Sequence, residues 1–427
     1  MRVVCPGGAR RLASSLGLLA VLLLTPSARA DAGDVIVADP DAGPGLRGAL
    51  FRVDPGGGPV VPIASDSPFT DPSDAAFALD GSLLVSDFHA GPATPECGGF
   101  GCGAVFRVNA ATGARNTIAA GPPFADPSGI VRGHDGQLYV VDPSAGGPPF
   151  SGAVFRVDPV SGARTAIAAG APFVDPYALT AGFDGQLYVV DFSAGPGGLG
   201  AVFRVDPSTG ARTSIAAGGA LVDPFAIAAA PDGGLYIADA GAAPGDFGAI
   251  FRLDPRSGAL RTIAAGPPFV NPSGIAVAPD GQLYVSDLSA GPGFLGALFR
   301  VDPATGTRTT LVQSGPLSQP EGLALEPPSC HGRIATIVGS TGADRITGSP
   351  SADVIVGLGG RDRIAGGDGS DRICGGGGTD RLSGGGDSDR LFGEGDADVL
   401  NGGSGKRDRC LGGKGRDRLA RCEKGHG

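Results

Sequence analysis

Residues 272–312 read PSGIAVAPDGQLYVSDLSAGPGFLGALFRVDPATGTRTTLV, and this stretch decides the fold because the chain repeats it. It holds four short apolar segments, each closed by a turn signal. Gly274 to Ala278 ends at Pro279-Asp280-Gly281 and leads into Leu283-Tyr284-Val285, two strands joined by a tight turn. After Asp287 a Gly-rich loop reaches Ala297 to Val301; Asp302-Pro303 opens a second turn, Gly306 can take a positive φ, and Arg308 to Val312 closes the unit. These are strands a, b, c and d. The Gly-Ala-x-Phe-Arg element at the start of strand c begins at Gly48, Gly103, Gly152, Gly200, Gly248 and Gly296, with spacings of 55, 49, 48, 48 and 48 residues. Six four-stranded units at that period predict an all-β, six-bladed β-propeller.

The phase of the repeat predicts how the ring closes. The first copy lacks strand a and starts at strand b, Asp34 to Asp39; the last copy has only strand a, Pro320 to Leu325. Pairing these two builds one blade from both chain ends and leaves no sheet edge unpaired at the junction.

A chain of 427 residues exceeds the size of a single hydrophobic core, so at least two domains are expected. The charge is divided unevenly: 14 basic against 29 acidic side chains between Asp31 and Cys330, then 15 against 14 between His331 and Gly427. An acidic first region gives no footing for a phosphate-backbone partner, so nucleic acid is not expected. At the N-terminus Arg2, Arg10 and Arg11 precede the apolar run Leu12 to Leu24, Pro26 and the small-residue pattern Ala28-Arg29-Ala30. This is the form of a secretory signal peptide, residues 1–30, cleaved near Ala30. No later stretch is long and apolar enough to span a bilayer. The expectation is a secreted, extracellular protein with the propeller in 31–330 and a second domain in 331–427. Six cysteines remain after cleavage, which suggests disulfides. Cys97 with Cys102 is the plausible local bridge, Cys410 with Cys422 a weaker pairing, and the pairing of Cys330 and Cys374 is open.

The run Asn271 to Asp287, NPSGIAVAPDGQLYVSD, resembles NHL-type repeats and the related six-bladed propellers of the gluconolactonase and senescence-marker group. The resemblance implies architecture more than activity, since such propellers include binding modules, lactonases and lyases. Two repeated acidic positions carry the question of chemistry. One ends strand b: Asp39, Asp87, Asp142, Asp191, Asp239 and Asp287. Recurrence in every blade points to a structural carboxylate accepting backbone N–H groups in the b–c loop. The other precedes strand a, each residue followed by proline: Asp71, Asp126, Asp175, Asp223, Asn271 and Gln319. Turn initiation explains it; four carboxylates and two amides around the channel mouth, holding a cation or polar ligand, are the other reading. The resemblance to gluconolactonases implies a divalent metal held there by a glutamate, an asparagine and an aspartate, for which Glu321 and Asn271 are the near matches. A lactonase or lyase with a metal at the mouth is therefore the alternative to a binding scaffold, tested by whether Asp126, Asp175, Asp223 and Glu321 converge. His89, His134, His331 and His426 form no metal-ligand motif, and no Gly-x-Ser-x-Gly element is present, so no catalytic residue is assigned.

From Gly339 a second repeat runs at a period of nine: GSTGADRIT, GSPSADVIV, GLGGRDRIA, GGDGSDRIC, GGGGTDRLS, GGGDSDRLF, GEGDADVLN, a ten-residue GGSGKRDRCL and GGKGRDRLA. The sixth position is Asp344, Asp353, Asp362, Asp371, Asp380, Asp389 and Asp398, then Asp408 and Asp417. Two residues on stands one apolar side chain. Glycines let the backbone curl, the aspartate supplies a hard anionic oxygen, and a three-residue strand lines a thin interior. One apolar residue in nine cannot hold such a parallel β-roll without metal, so Ca²⁺ is the expected cofactor. The run resembles RTX (hemolysin-type) calcium repeats. That resemblance implies calcium between loops two repeats apart, with Asp362, Asp380 and Asp398 stacked on one side and Asp353, Asp371 and Asp389 on the other. Asp344 to Asp398 are the candidate metal ligands. Lys406, Arg407, Lys414 and Arg416 place positive charge in the last two loops and weaken them as sites. The functional expectation is a secreted calcium-binding protein whose propeller binds an extracellular protein or polysaccharide.

Overall fold

A computed structural model describes residues 33–45, 47–97, 101–133, 135–145, 151–313 and 315–426; residues 1–30, the expected signal peptide, and His134 lie outside the described residues. Six four-stranded antiparallel sheets form the first part. Blade 6 is the quoted cassette: strand a Pro272–Val277, b Leu283–Asp287, c Ala297–Val301 and d Arg308–Val312. Blade 1 closes the ring as its phase predicts. Leu323–Leu325 is its strand a and pairs antiparallel with Val35–Asp39, setting Leu325 opposite Val35 and Leu323 opposite Val37. The regular strand is shorter than the predicted Pro320 to Leu325, although Glu321 N–H still donates to Ala38 O at 2.9 Å.

Strand b shows no polar alternation, in Val35–Asp39 or in its five copies, because it is buried on both faces. Neighbouring blades pack face to face, so one apolar cluster joins Ile36, Ala38 and Leu50 of blade 1 to Leu83, Val85 and Phe106 of blade 2. The glycine of Gly-Ala-x-Phe-Arg and the proline before strand a explain each other. A Cβ on Gly48 would lie 1.8 Å from Pro72 Cδ, and one on Gly296 would lie 2.0 Å from Pro320 Cδ, so only glycine lets the proline ring seat.

The nonad region forms two parallel sheets, one of six strands and one of five. Strands pair with those two nonads on: Arg363 with Arg381, Arg381 with Val399, and Arg372 with Arg390. One turn of this β-roll therefore takes two nonads. Ile355, Ile364, Ile373, Leu382, Leu391, Leu400 and Cys410 fill the interior in a single file. The extra residue of the ten-residue copy is absorbed in its loop, where Arg407 has φ 73°, and pairing resumes with Arg390 opposite Arg409. The hairpin Ser329–Cys330 and Arg333–Ile334 covers the six-stranded sheet, packing Cys330 and Ala335 against Val356, Cys374 and Phe392. All three disulfides form: Cys97–Cys102 and Cys410–Cys422, and also Cys330–Cys374, which fastens that hairpin to the roll.

Candidate metal centre

The acids that end strand b are structural staples. Asp87 is fully buried, and its carboxylate accepts the N–H groups of Thr70 at 2.9 Å, Asp71 at 3.1 Å and His89 at 3.1 Å. Asp142, Asp191, Asp239, Asp287 and Asp39 repeat the arrangement, Asp39 by receiving Ser318 and Gln319 across the ring junction. The b–c loop bond expected from sequence is present; the two bonds to the loop entering strand a are additional. One carboxylate thus fixes both loops at the same end of each blade.

At the channel mouth members of the second ring take side-chain partners of their own. Asp71 bonds His89 Nδ1, whose Nε2 lies 3.6 Å from Asp126 Oδ1; Asn271 donates to Ser289 Oγ at 2.7 Å. Glu321 accepts from Tyr177 Oη at 3.3 Å, and Asp74 accepts the N–H groups of Ala75 at 2.8 Å and Ile130 at 3.0 Å. Burial pushes the Asp74 carboxyl up to about 7 and that of Glu321 up to about 8. Both border a channel cavity of about 270 Å³. Asp126, Asp175, Asp223 and Glu321 bring no three ligand atoms within 4.8 Å of one another. Among the described residues the one trio of His, Cys, Asp or Glu ligand atoms within 4.8 Å of one another is His331, Cys374 and Glu394, and Cys374 is in a disulfide. The mouth therefore offers the metal-dependent lactonase or lyase reading no convergent ligand set among the described residues.

The roll links its aspartates in pairs from turn to turn. Asp362 N–H donates to Asp380 Oδ1 at 2.8 Å and Asp380 N–H to Asp398 Oδ1 at 2.8 Å; on the other side Asp353 N–H reaches Asp371 Oδ1 and Asp371 N–H reaches Asp389 Oδ1, both at 2.9 Å. Each carboxylate thus has one oxygen tied to the preceding turn. The second oxygen divides the series. In Asp362, Asp371, Asp380, Asp389, Asp398, Asp408 and Asp417, Oδ2 is buried without a hydrogen-bond partner. In Asp344 and Asp353 it is already satisfied, by Ser340 N–H at 2.6 Å and Ser349 N–H at 2.7 Å, with both hydroxyls adding bonds at 2.9 Å. The cause is the second residue of the loop. Gly367, Gly376, Gly385 and Gly403, and also Leu358 and Glu394, take positive φ there, whereas Ser340 and Ser349 do not.

A backbone oxygen and an unpaired carboxylate oxygen border the same glycine. A Cβ placed on Gly384 would sit 2.1 Å from Asp389 Oδ2 and 2.5 Å from Gly402 O; one on Gly393 would sit 2.3 Å from Asp398 Oδ2 and 2.4 Å from Gly412 O. Burial and then neighbouring carboxylates raise Asp371, Asp389 and Asp398 to about 6 and Asp380 to about 7. Buried carboxylates without counter-charge are costly. A hard oxygen set of this kind suits Ca²⁺ rather than a soft or nitrogen-preferring metal.

The RTX calcium-binding nonapeptide repeat family, described as four copies per match, matches residues 338–373, 347–382 and 375–406. The C-terminal repeats are thus RTX repeats, and calcium is the ion such repeats bind. No curated protein matches the chain. Among solved structures it is similar to a chain of the nidogen/laminin complex, at 15% identity and TM-score 0.55, over 70% of this chain and 99% of that one. TolB from Acinetobacter baumannii is 15% identical with TM-score 0.49, over 69% of this chain and 67% of that one. The periplasmic gluconolactonase of Pseudomonas aeruginosa is 19% identical with TM-score 0.49, over 70% of this chain and 100% of that one. At these identities the likeness concerns the fold alone.

Proposed function

We propose that this chain is an exported calcium-binding protein in which a signal segment, residues 1–30, precedes a propeller, 31–330, that acts as a binding scaffold, and a calcium-loaded roll, 331–427. The observation that carries the reading is the file of buried, unpartnered Oδ2 atoms from Asp362 to Asp398. Calcium supplies the missing counter-charge, with Asp362, Asp371, Asp380, Asp389 and Asp398 as its carboxylate ligands and glycine carbonyls completing the set. Asp408 and Asp417 join them on the same geometry despite the basic residues in their loops. Asp344 and Asp353 are weaker members, because serine has taken their free oxygen.

At the affinities of extracellular calcium modules, about 10⁻⁴ to 10⁻³ M, such a roll is unfolded at cytosolic calcium and folds outside the cell. Each site at about 100 times its dissociation constant adds about 2.7 kcal/mol. The test is a calcium titration of the mature chain, followed by far-UV circular dichroism and calorimetry. Saturable binding with a gain of β signal is expected; an unchanged spectrum between chelator and millimolar calcium, with no heat of binding, overturns the reading. The propeller's partner is an extracellular protein or polysaccharide.

A further inference from the structure

The propeller repeats its side chains as well as its strands, so a cavity where one blade departs from the others stands out. Blade 4 has strands Pro176–Ala181, Leu187–Asp191, Ala201–Val205 and Arg212–Ala217; blade 5 has Pro224–Ala229, Leu235–Ala243, Phe247–Leu253 and Leu260–Ala265. A cavity of about 830 Å³ lies between their a–b and c–d turns, at the end of the blades opposite the acidic ring. In four blades strand d opens with an arginine, Arg115, Arg164, Arg212 or Arg308, that lies 5.0 to 5.3 Å over a phenylalanine of the loop entering its blade. In blade 5 both partners are leucine, Leu260 and Leu221, packed in one apolar cluster. The arginine moves one residue on, to Arg261, and strand alternation turns it to the other face.

There Arg261 stands directly opposite Arg252 of strand c. The same two positions pair Arg52 with Val61, Arg107 with Asn116, Arg156 with Thr165, Arg204 with Thr213 and Arg300 with Thr309. Blade 5 alone sets arginine against arginine, a pairing that costs stability. Two further departures border the same cavity. Arg256 replaces Ala111, Val160, Ser208 and Ala304 of other c–d turns, and Gly234 replaces Ser82, Gln137, Gln186 and Gln282 of the other a–b turns. A Cβ on Gly234 would lie 2.6 Å from Arg252 Nη2, so the glycine lets Arg252 lie against the turn. Arg252 is neutralised by Asp232 at 2.6 Å, and Arg204 faces Asp184 at 3.6 Å. The third acid of the lining, Asp254, accepts the N–H groups of Arg256 at 2.8 Å and Ser257 at 3.4 Å. Arg256 and Arg261 are exposed, and neither side chain makes a hydrogen bond or ion pair with a described residue. Phe183, 59% exposed, forms an apolar wall of the cavity.

We infer that this cavity binds a phosphate monoester carrying a flat ring. Two unpaired guanidiniums ask for about two negative charges and three acceptor oxygens, which a phosphate monoester supplies at neutral pH. A carboxylate brings one charge and two oxygens, enough for one guanidinium. Guanidinium forks take phosphate oxygens in pairs. Phe183 offers the ring a stacking surface, and the volume is that of a small-molecule site. The site lies wholly in the propeller, beyond the calcium reading and independent of it.

The test is calorimetric titration of the mature chain, at low salt in chelator, with phenyl phosphate, and with inorganic phosphate, phenyl sulfate and benzoate as comparators. Phenyl phosphate is expected to bind at least about tenfold more tightly than each of the three. Arg261→Thr and Arg256→Ala install the residues that other blades carry at Thr213 and Ala304, so the fold is kept, and each should lose at least about tenfold. Arg300→Gln, at the place of Arg252 in blade 6, should stay within about twofold. Phe183→Leu, the residue at Leu79, should bring phenyl phosphate down to the level of inorganic phosphate. No binding, equal loss in Arg300→Gln, or inorganic phosphate, phenyl sulfate or benzoate bound as tightly as phenyl phosphate overturns the inference. Calcium-induced circular dichroism of the same chain reports the roll separately, so the failure of either reading is seen without the other.

Discussion

Replacing Asp380 by Asn isolates the charge of one repeat carboxylate while keeping its shape. Oδ1 accepts the Asp362 N–H at 2.8 Å, a bond that an Asn oxygen also makes. Oδ2 is buried without a partner, and burial raises the carboxyl to about 7. Without calcium, Asn therefore removes an uncompensated charge. A carboxyl raised that far costs a few kcal/mol at neutral pH, and solvent near the loop edges reduces this to about 1 to 2 kcal/mol of expected stabilisation. With calcium the sign reverses, because an anionic ligand is lost; one site at about 100 times its dissociation constant is worth about 2.7 kcal/mol. The assay is urea unfolding at neutral pH, in chelator and in millimolar calcium. Asp344→Asn is the contrast. Its Oδ2 holds Ser340 N–H and Oγ, so about 1 kcal/mol should be lost in both conditions with the calcium response intact. If Asp380→Asn weakens the protein equally with and without calcium, the carboxylate is a structural acceptor like those of the propeller, and the argument from unpaired oxygens fails.

Protons should compete with calcium. Asp371, Asp389 and Asp398 are raised to about 6 and Asp380 to about 7, so the folded, metal-free roll binds protons more tightly than the unfolded chain. The stability this gives is present at low pH and is lost as pH rises from about 4 through 7. Asp142 and Asp239 of the propeller act with the same sign, so the check is the difference between calcium and chelator melts: it should widen across pH 6 to 7, and a constant difference contradicts the assignment. In the propeller, Asp87→Ala leaves the N–H groups of Thr70, Asp71 and His89 without their acceptor and should cost about 3 to 5 kcal/mol, independent of calcium. A loss below about 1 kcal/mol in denaturant unfolding shows that water replaces the staple.

The repeated features were legible because each copy solves the same local problem. A missing strand a at one end and a surplus one at the other determine the closing blade. A nine-residue period with one apolar position determines a roll whose strands pair eighteen residues apart. The staple aspartates were legible as backbone acceptors, since a residue needed in every blade serves the blade. What required the tertiary structure was the pairing of groups that do not repeat. The Cys330–Cys374 bridge depends on where the hairpin lies. Asp126, Asp175 and Asp223 share a ring in sequence, yet with Glu321 they bring no three ligand atoms within 4.8 Å of one another. Ser340 and Ser349 look like ordinary loop residues, and only their hydrogen bonds show that they occupy the oxygen which the other loops leave free.

Sequence by itself determined six blades, the shared first blade, the roll and its ion, because periodicity and turn chemistry act within a few residues. Tertiary structure decided which carboxylate oxygens stay unpaired and which are taken by a serine. Those outcomes depend on contacts between turns, and a linear pattern carries no record of which side of a sheet another segment covers.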